Sequence, residues 1–227
     1  MQLSRVPGAG WIVLIGGGEF SFGETEKADR AWIDRLAAGS VGFLPAASGS
    51  TEYGGHLAAY LERTFDRTVE TVPIYRARDA RRQKNCERIE GLAALYLGGG
   101  VAKHLLKALV GSPALDAMSE HLSSGGMVVA IAAAAQALGE VSRDLFGSGL
   151  EAGLGWLPGG AVETNFDPSH DRRLWQLVEY PTVDWGLGLP AGSAVLLGPN
   201  GELELVGKVF YLDDSSGDLV ALSSSSD

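Results

Sequence analysis

Cysteine is nearly missing: Cys86 stands alone in 227 residues. That scarcity excludes an internal disulfide framework and any multi-cysteine metal site, and a reducing, cytoplasmic compartment is the expectation that follows. Long apolar runs are missing too. Trp11–Ile15 falls far short of the roughly 20 residues of a membrane helix, and Met1–Gly10 offers one basic residue, Arg5, without the apolar stretch of an export signal. No membrane association is expected. Positive charge is in deficit, with 18 Lys and Arg against 28 Asp and Glu and a net charge of −10. Such a chain repels phosphate backbones, so nucleic acid is not an expected partner. The four histidines, His56, His104, His121 and His170, form no metal-binding spacing, and no metal is expected. Gly16-Gly17-Gly18 is no dinucleotide fingerprint, because the third glycine would fall on Ser21, and there is no Walker loop. No cofactor is expected.

Glycine is abundant instead: 32 residues in 227, about twice the usual share of about 7%. Many of these glycines close short apolar runs. Trp11–Ile15, Val41–Leu44, Val69–Ile74, Leu92–Leu97 and Met127–Ile131 read as strands. Ala28–Ala38, Leu57–Phe65, Ala102–Val110 and the alanine-rich Ala132–Leu138 read as helices, and Arg76–Arg88 as a basic, solvated helix or loop. Strand and helix in alternation indicate an α/β fold with a mostly parallel central sheet. Near the C-terminus, Ala194–Leu197, Glu202–Val206 and Val209–Leu212 are separated by turns and are expected as antiparallel strands on one edge. One domain over 1–222 and a frayed tail over 223–227 are expected. Ligands of such sheets bind beyond the carboxyl ends of the strands. That rim comprises Gly16–Glu19, Pro45–Ser48, Gly98–Val101 and Ala132–Gln136.

These rim segments, in order, resemble the cyanophycinase and dipeptidase E family of serine peptidases. Ile15-Gly16-Gly17-Gly18-Glu19 resembles the family's first Gly-rich turn, Leu44-Pro45-Ala46-Ala47-Ser48 its Pro-x-Ala-Ser turn, and Tyr96-Leu97-Gly98-Gly99-Gly100 its Gly-Gly loop. Val128-Val129-Ala130 is similar to the strand before the nucleophile, Gly153–Gly159 to the approach to the histidine, and Glu202–Gly207 to a late strand. The resemblance implies a three-layer α/β/α sandwich of the class I glutamine amidotransferase type.

It also exposes departures. The family's Gly-x-Ser-Ala-Gly-Ala elbow is matched by Ile131–Gln136, which puts the nucleophile position on Ala133. A methyl group cannot attack a carbonyl. With no nucleophile to present, an ordinary, unstrained alanine-rich helix start is expected there. The histidine position falls on Asn165 in Glu163-Thr164-Asn165-Phe166, and an amide is no general base. The acid position falls on Ala191, after Gly186-Leu187-Gly188-Leu189-Pro190. The implied activity is therefore none. The expected role is a pseudoenzyme that binds a small acidic or peptide-like ligand or a protein partner, with a homodimer expected from base rates. Candidate ligand contacts are Gly17, Gly18, Glu19, Ser48, Gly99, Gly100, Ala134, Gln136 and Glu163. The backbone amides near Gly99 and Gly100 are an expected anion site, and Ile131 is a side chain that would crowd or fill the pocket.

Two alternatives stay open. An active amide hydrolase with a rearranged site would pair Ser48 with His56 or His170, although Ser48 reads better as a helix N-cap and His170 as a solvated loop residue. A purely structural subunit would expose patches at Trp32, Trp175 or Trp185. Glu19 reads as a helix-opening residue, His121 as surface helix, and Cys86 as a plain exposed thiol despite its basic neighbours.

Overall fold

The computed structural model describes residues 3–144, 149–213 and 217–223. Its centre is built from the short apolar runs: β1 (Ile12–Ile15), β2 (Val41–Leu44), β3 (Val69–Thr71), β4 (Ala94–Leu97) and β5 (Met127–Ile131). These five are parallel and lie in the spatial order β3-β2-β4-β5-β1. All but β3 are buried at every position. Burial on both faces is why they read as unbroken apolar runs rather than alternating ones. Successive side chains still go to opposite faces. Ile12, Leu14, Val128 and Ala130 join one core, while Val13, Ile15, Val129 and Ile131 join the other.

Helices cover both cores. α1 (Glu26–Ile33) and α2 (Glu52–Phe65) lie on the second, through Trp32, Leu57 and Leu61. α3 (Ala77–Ala80), α4 (Gln83–Glu90), α5 (Ala102–Leu109), α6 (Pro113–Ser123) and α7 (Ala133–Ala137) lie on the first, through Ala80, Ile89, Leu105, Met118 and Ala137. The result is the α/β/α sandwich expected. Local chemistry sets the boundaries. β3 stops before Pro73, which has no N–H to give a ladder. α6 starts where the Ser112 hydroxyl accepts from the Leu115 N–H and Pro113 takes the first turn. α2 begins at Glu52, earlier than its apolar spacing suggests, because Gly54 has no Cβ and lets the helix lie on the Phe43 ring. The basic stretch holds two helices, α3 and α4, and not one.

The last third departs from expectation. It contains β6 (Val141–Arg143), β7 (Leu150–Ala152), β8 (Gly160–Thr164), α8 (Arg172–Val178), β9 (Trp185–Leu189), β10 (Ala194–Leu197), β11 (Leu203–Val206), β12 (Lys208–Asp213) and β13 (Leu219–Ser223). β10 and β11 do extend the large sheet, antiparallel, beyond β1. β12 does not. It belongs to a second sheet of order β13-β12-β9-β8, in which β8 and β9 are parallel. A single residue, Gly207, separates β11 from β12 and takes a φ of 71°, so the chain turns out of the first sheet there. Phe210 and Leu212 then pack with Phe166, Leu174 and Leu177. Residues 224–227 of the expected tail lie outside the described residues. Trp32 and Trp185 are buried and Trp175 is partly buried, so the tryptophans form no exposed patch.

Candidate functional site

The carboxyl ends of β1, β2, β4 and β5 and the start of β8's exit loop converge. Each approach depends on a missing Cβ. A Cβ on Gly16 would overlap the Pro190 carbonyl, one on Gly17 the Asn165 amide, and one on Gly100 the Ala47 carbonyl. The Asn165 N–H donates to the Gly16 carbonyl at 2.7 Å, and the Val101 N–H to the Ala47 carbonyl at 3.0 Å. The rim segments are thus held on one another by backbone contacts that larger residues would prevent.

The junction of β5 and α7 is not the relaxed helix start expected. Ala132 sits at φ 51° and ψ −120°, a conformation that L-residues avoid. The sharp strand-to-helix turn therefore survives, and its apex is Ala132, one residue before the expected Ala133. Ala132 presents its methyl group beside Gly99, whose own Cβ would lie 3.5 Å away. Ala133 and Ala134 follow inside α7, and Ala134 is completely buried in the core and outside the lining of the smaller cavity. Ile131 does not fill the pocket. It points away into the core shared with Trp32 and Phe43, because alternate side chains of β5 leave by opposite faces.

A cavity of about 320 Å³ opens at this apex. Its lining includes Gly100, Ala132, Ala133, Gln136, Arg143, Glu163 and Asn165, so five of the candidate contacts or degenerate positions are gathered with the apex. A second cavity of about 700 Å³ adjoins it and shares Arg143, Glu163, Asn165 and Arg173. Glu163 is on β8 and is 5% exposed. Its Oε1 lies 3.9 Å from Arg173 Nη1, and its Oε2 has no hydrogen-bond partner. Burial raises its carboxyl above the ordinary range, while the charges of Arg143 and Arg173 pull it back. Gln136 Nε2 donates to Thr164 Oγ1 at 2.9 Å, which fixes the amide across the cavity wall. Asn165 takes a φ of 49°, which asparagine tolerates better than most residues.

Several candidates stand elsewhere. Glu19 is exposed and caps the short turn Phe20–Phe22, accepting from the Ser21 N–H at 3.1 Å. Gly17 and Gly18 shape the rim with φ of 127° and 107°, but they do not line the cavity. Ser48 is not the N-cap of α2. Its Oγ donates to the Pro45 carbonyl at 3.1 Å, while Ser50 Oγ accepts from the Glu52 and Tyr53 N–H groups. Burial pushes the Tyr53 hydroxyl up to about 12. Gly99 is not in the lining of the smaller cavity, and Gly100 is. Ala191 is exposed and lies outside the cavity lining. His170 lines the larger cavity, with Nδ1 2.9 Å from Asp167 Oδ2, and hydrogen bonds from Ser169 and His170 hold Asp167 down at about 2. His56 is exposed. His121 is buried, not surface, with Nε2 3.2 Å from the Met127 carbonyl and its ring in the space that Gly126 leaves open. Cys86 is partly buried against the core, and burial raises its thiol. Arg143 was not legible as a site residue: it ends a three-residue strand whose sequence, Val-Ser-Arg, carries no motif.

The description "Peptidase family S51" belongs to the family model that matches residues 12–145. No curated protein matches the chain. Solved structures share its fold, two of them as follows. A peptidase from an acI-B1 Actinobacterium superposes with a TM-score of 0.76 at 19% identity over 97% of both chains. A structure described as a "Putative Peptidase E Protein" from Listeria monocytogenes EGD-e gives 0.63 at 15% identity, over 87% of this chain and 98% of that one.

Proposed function

The chain belongs to peptidase family S51, and on that premise we propose that it is a catalytically silent member that binds a small acidic or peptide-like ligand. One observation carries this reading. The strained apex that the fold aims into the cavity is occupied by alanine, Ala132. A nucleophile must carry a lone pair and must have a base in reach. Among the described residues lining the 320 Å³ cavity there is no serine, cysteine, histidine or lysine, and the hydroxyl of Thr164 accepts from Gln136. Asn165, at the position that resembles the family's histidine, has no nitrogen that titrates near neutrality.

Binding is supported by what the cavity keeps. Arg143 and Arg173 place two guanidinium groups in its lining, alongside the carboxylates of Asp144 and Glu163, and Gln136 and Asn165 add amide groups. Arginine forks match carboxylates in geometry as well as in charge. A protein partner carrying an acidic segment would meet the same groups.

The test is hydrolysis of aspartyl and β-aspartyl dipeptides at high protein concentration. The expected result is no release of amino acid above a buffer blank. Turnover that co-purifies with the protein and persists after metallo- and serine-peptidase contaminants are removed would overturn the reading. In that case the Asp167–His170 pair beside the larger cavity is the first place to look for a base, since the carboxylate orients the imidazole.

A further inference from the structure

Buried polar atoms in native proteins find partners, and an isolated exception calls for a cause. Among the described residues four side-chain atoms lack one: Ser142 Oγ, Arg143 Nη1, Glu151 Oε1 and Glu163 Oε2. All four belong to β6, β7 or β8. Two of them, Arg143 Nη1 and Glu163 Oε2, belong to residues that line both cavities. They have opposite signs. One is a cationic donor and the other an anionic acceptor.

The other carboxylates around the cavities are engaged. Asp144 Oδ2 accepts from Lys103 Nζ at 2.6 Å, Asp167 holds Ser169 and His170, and Asp171 Oδ2 accepts from Trp175 Nε1 at 3.1 Å. Arg173 is largely exposed and reaches Glu163 on the side of Oε1, leaving Oε2 unmatched. The charges of Arg143 and Arg173 act on Glu163, but neither arginine makes a hydrogen bond to its Oε2. A carboxylate with one oxygen buried and bare gains most from a donor that is itself positive, and an arginine nitrogen from an acceptor that is negative.

We propose that Glu163 Oε2 and Arg143 Nη1 form a two-sign subsite for a zwitterion, a free α-amino acid whose ammonium group donates to Glu163 and whose carboxylate accepts from Arg143. This rests on the binding role proposed above and narrows it: a ligand that is only acidic leaves Glu163 bare. A zwitterion also adds no net charge to the pocket, so it enters without the repulsion that the acidic whole molecule sets against an anion.

The experiment is isothermal titration of the intact protein with L-alanine, L-aspartate and L-glutamate, each against its N-acetyl derivative, which keeps the carboxylate and loses the ammonium charge. At least one free amino acid should bind more than about 10-fold tighter than its N-acetyl form, the scale of losing a charged hydrogen bond. Glu163→Gln preserves shape and should erase that ratio. Arg143→Gln should weaken the free amino acid and the N-acetyl form alike. Equal binding of free and acetylated forms, a ratio that survives Glu163→Gln, or no binding of any free amino acid would each overturn the proposal. Peptide turnover would instead overturn the silent-enzyme reading, which this titration does not measure.

Discussion

Replacing Ala132 by glycine should make the protein more stable, against the usual effect of adding glycine. At φ 51° and ψ −120° the alanine Cβ crowds its own backbone, a strain that costs about 1–3 kcal/mol. Glycine removes that strain. It also frees the unfolded chain, which costs about 0.5–1 kcal/mol, and it gives up a methyl group. Ala132 is only partly buried, so the lost burial is about half of the ~0.8 kcal/mol of a buried carbon. The balance favours the variant by about 1 kcal/mol, or about 2–4 °C in Tm for a chain of this size. Urea unfolding followed by circular dichroism would read it as a higher midpoint at unchanged slope. Two controls sharpen the test. Ala133→Gly and Ala134→Gly lie within α7 and should each destabilise, by about 1 kcal/mol from helix propensity and by more at the fully buried Ala134. If Ala132→Gly destabilised as much as Ala133→Gly, the apex would not be at 132 and the account of a preserved strained turn would fail.

Two further outcomes follow from buried polar groups. Asp29 is 1% exposed and accepts from Thr25 Oγ1 at 2.7 Å, Trp32 Nε1 at 3.0 Å and the Tyr60 hydroxyl at 3.0 Å. Asp29→Ala strands three donors at about 1–3 kcal/mol each, so a loss of at least ~3 kcal/mol is expected in the same unfolding assay. A loss under ~1 kcal/mol would show that water replaces the carboxylate freely. His121 titrates below its ordinary 6.5 because burial disfavours the cation. The unfolded chain therefore takes up a proton first as pH falls. The stability this histidine contributes is intact above about 6.5 and is lost as pH drops toward the native value. His121→Gln should flatten the decline in Tm between pH 7 and 5, and an unchanged decline would refute that assignment.

Much of the architecture was legible because it depends on short-range rules. Unbroken apolar runs closed by glycine marked β1, β2, β4 and β5, since a strand buried on both faces has no polar side to show. The rim was legible for the same reason: in a parallel sheet every strand-to-helix turn faces one edge. Strand membership in the second sheet was not. β8 and β9 are parallel partners separated by a helix, and β12 leaves the large sheet through one glycine, so pairing there depends on where distant segments meet.

The candidate site divides in the same way. Sequence alone determined which side chains stand at the positions that resemble a peptidase's nucleophile, base and acid, namely alanine, asparagine and alanine, because side-chain identity is written in the chain. Tertiary structure decided the apex. A run of four alanines at 132–135 has no internal marker of register, and only the backbone conformation singles out Ala132. It also decided which charges matter. Glu163 and Arg143 sit in strands about 20 residues apart, and nothing local shows that each would be buried with an unmet atom beside one cavity. Burial and the absence of a partner are properties of the whole packing, which no single stretch of chain contains.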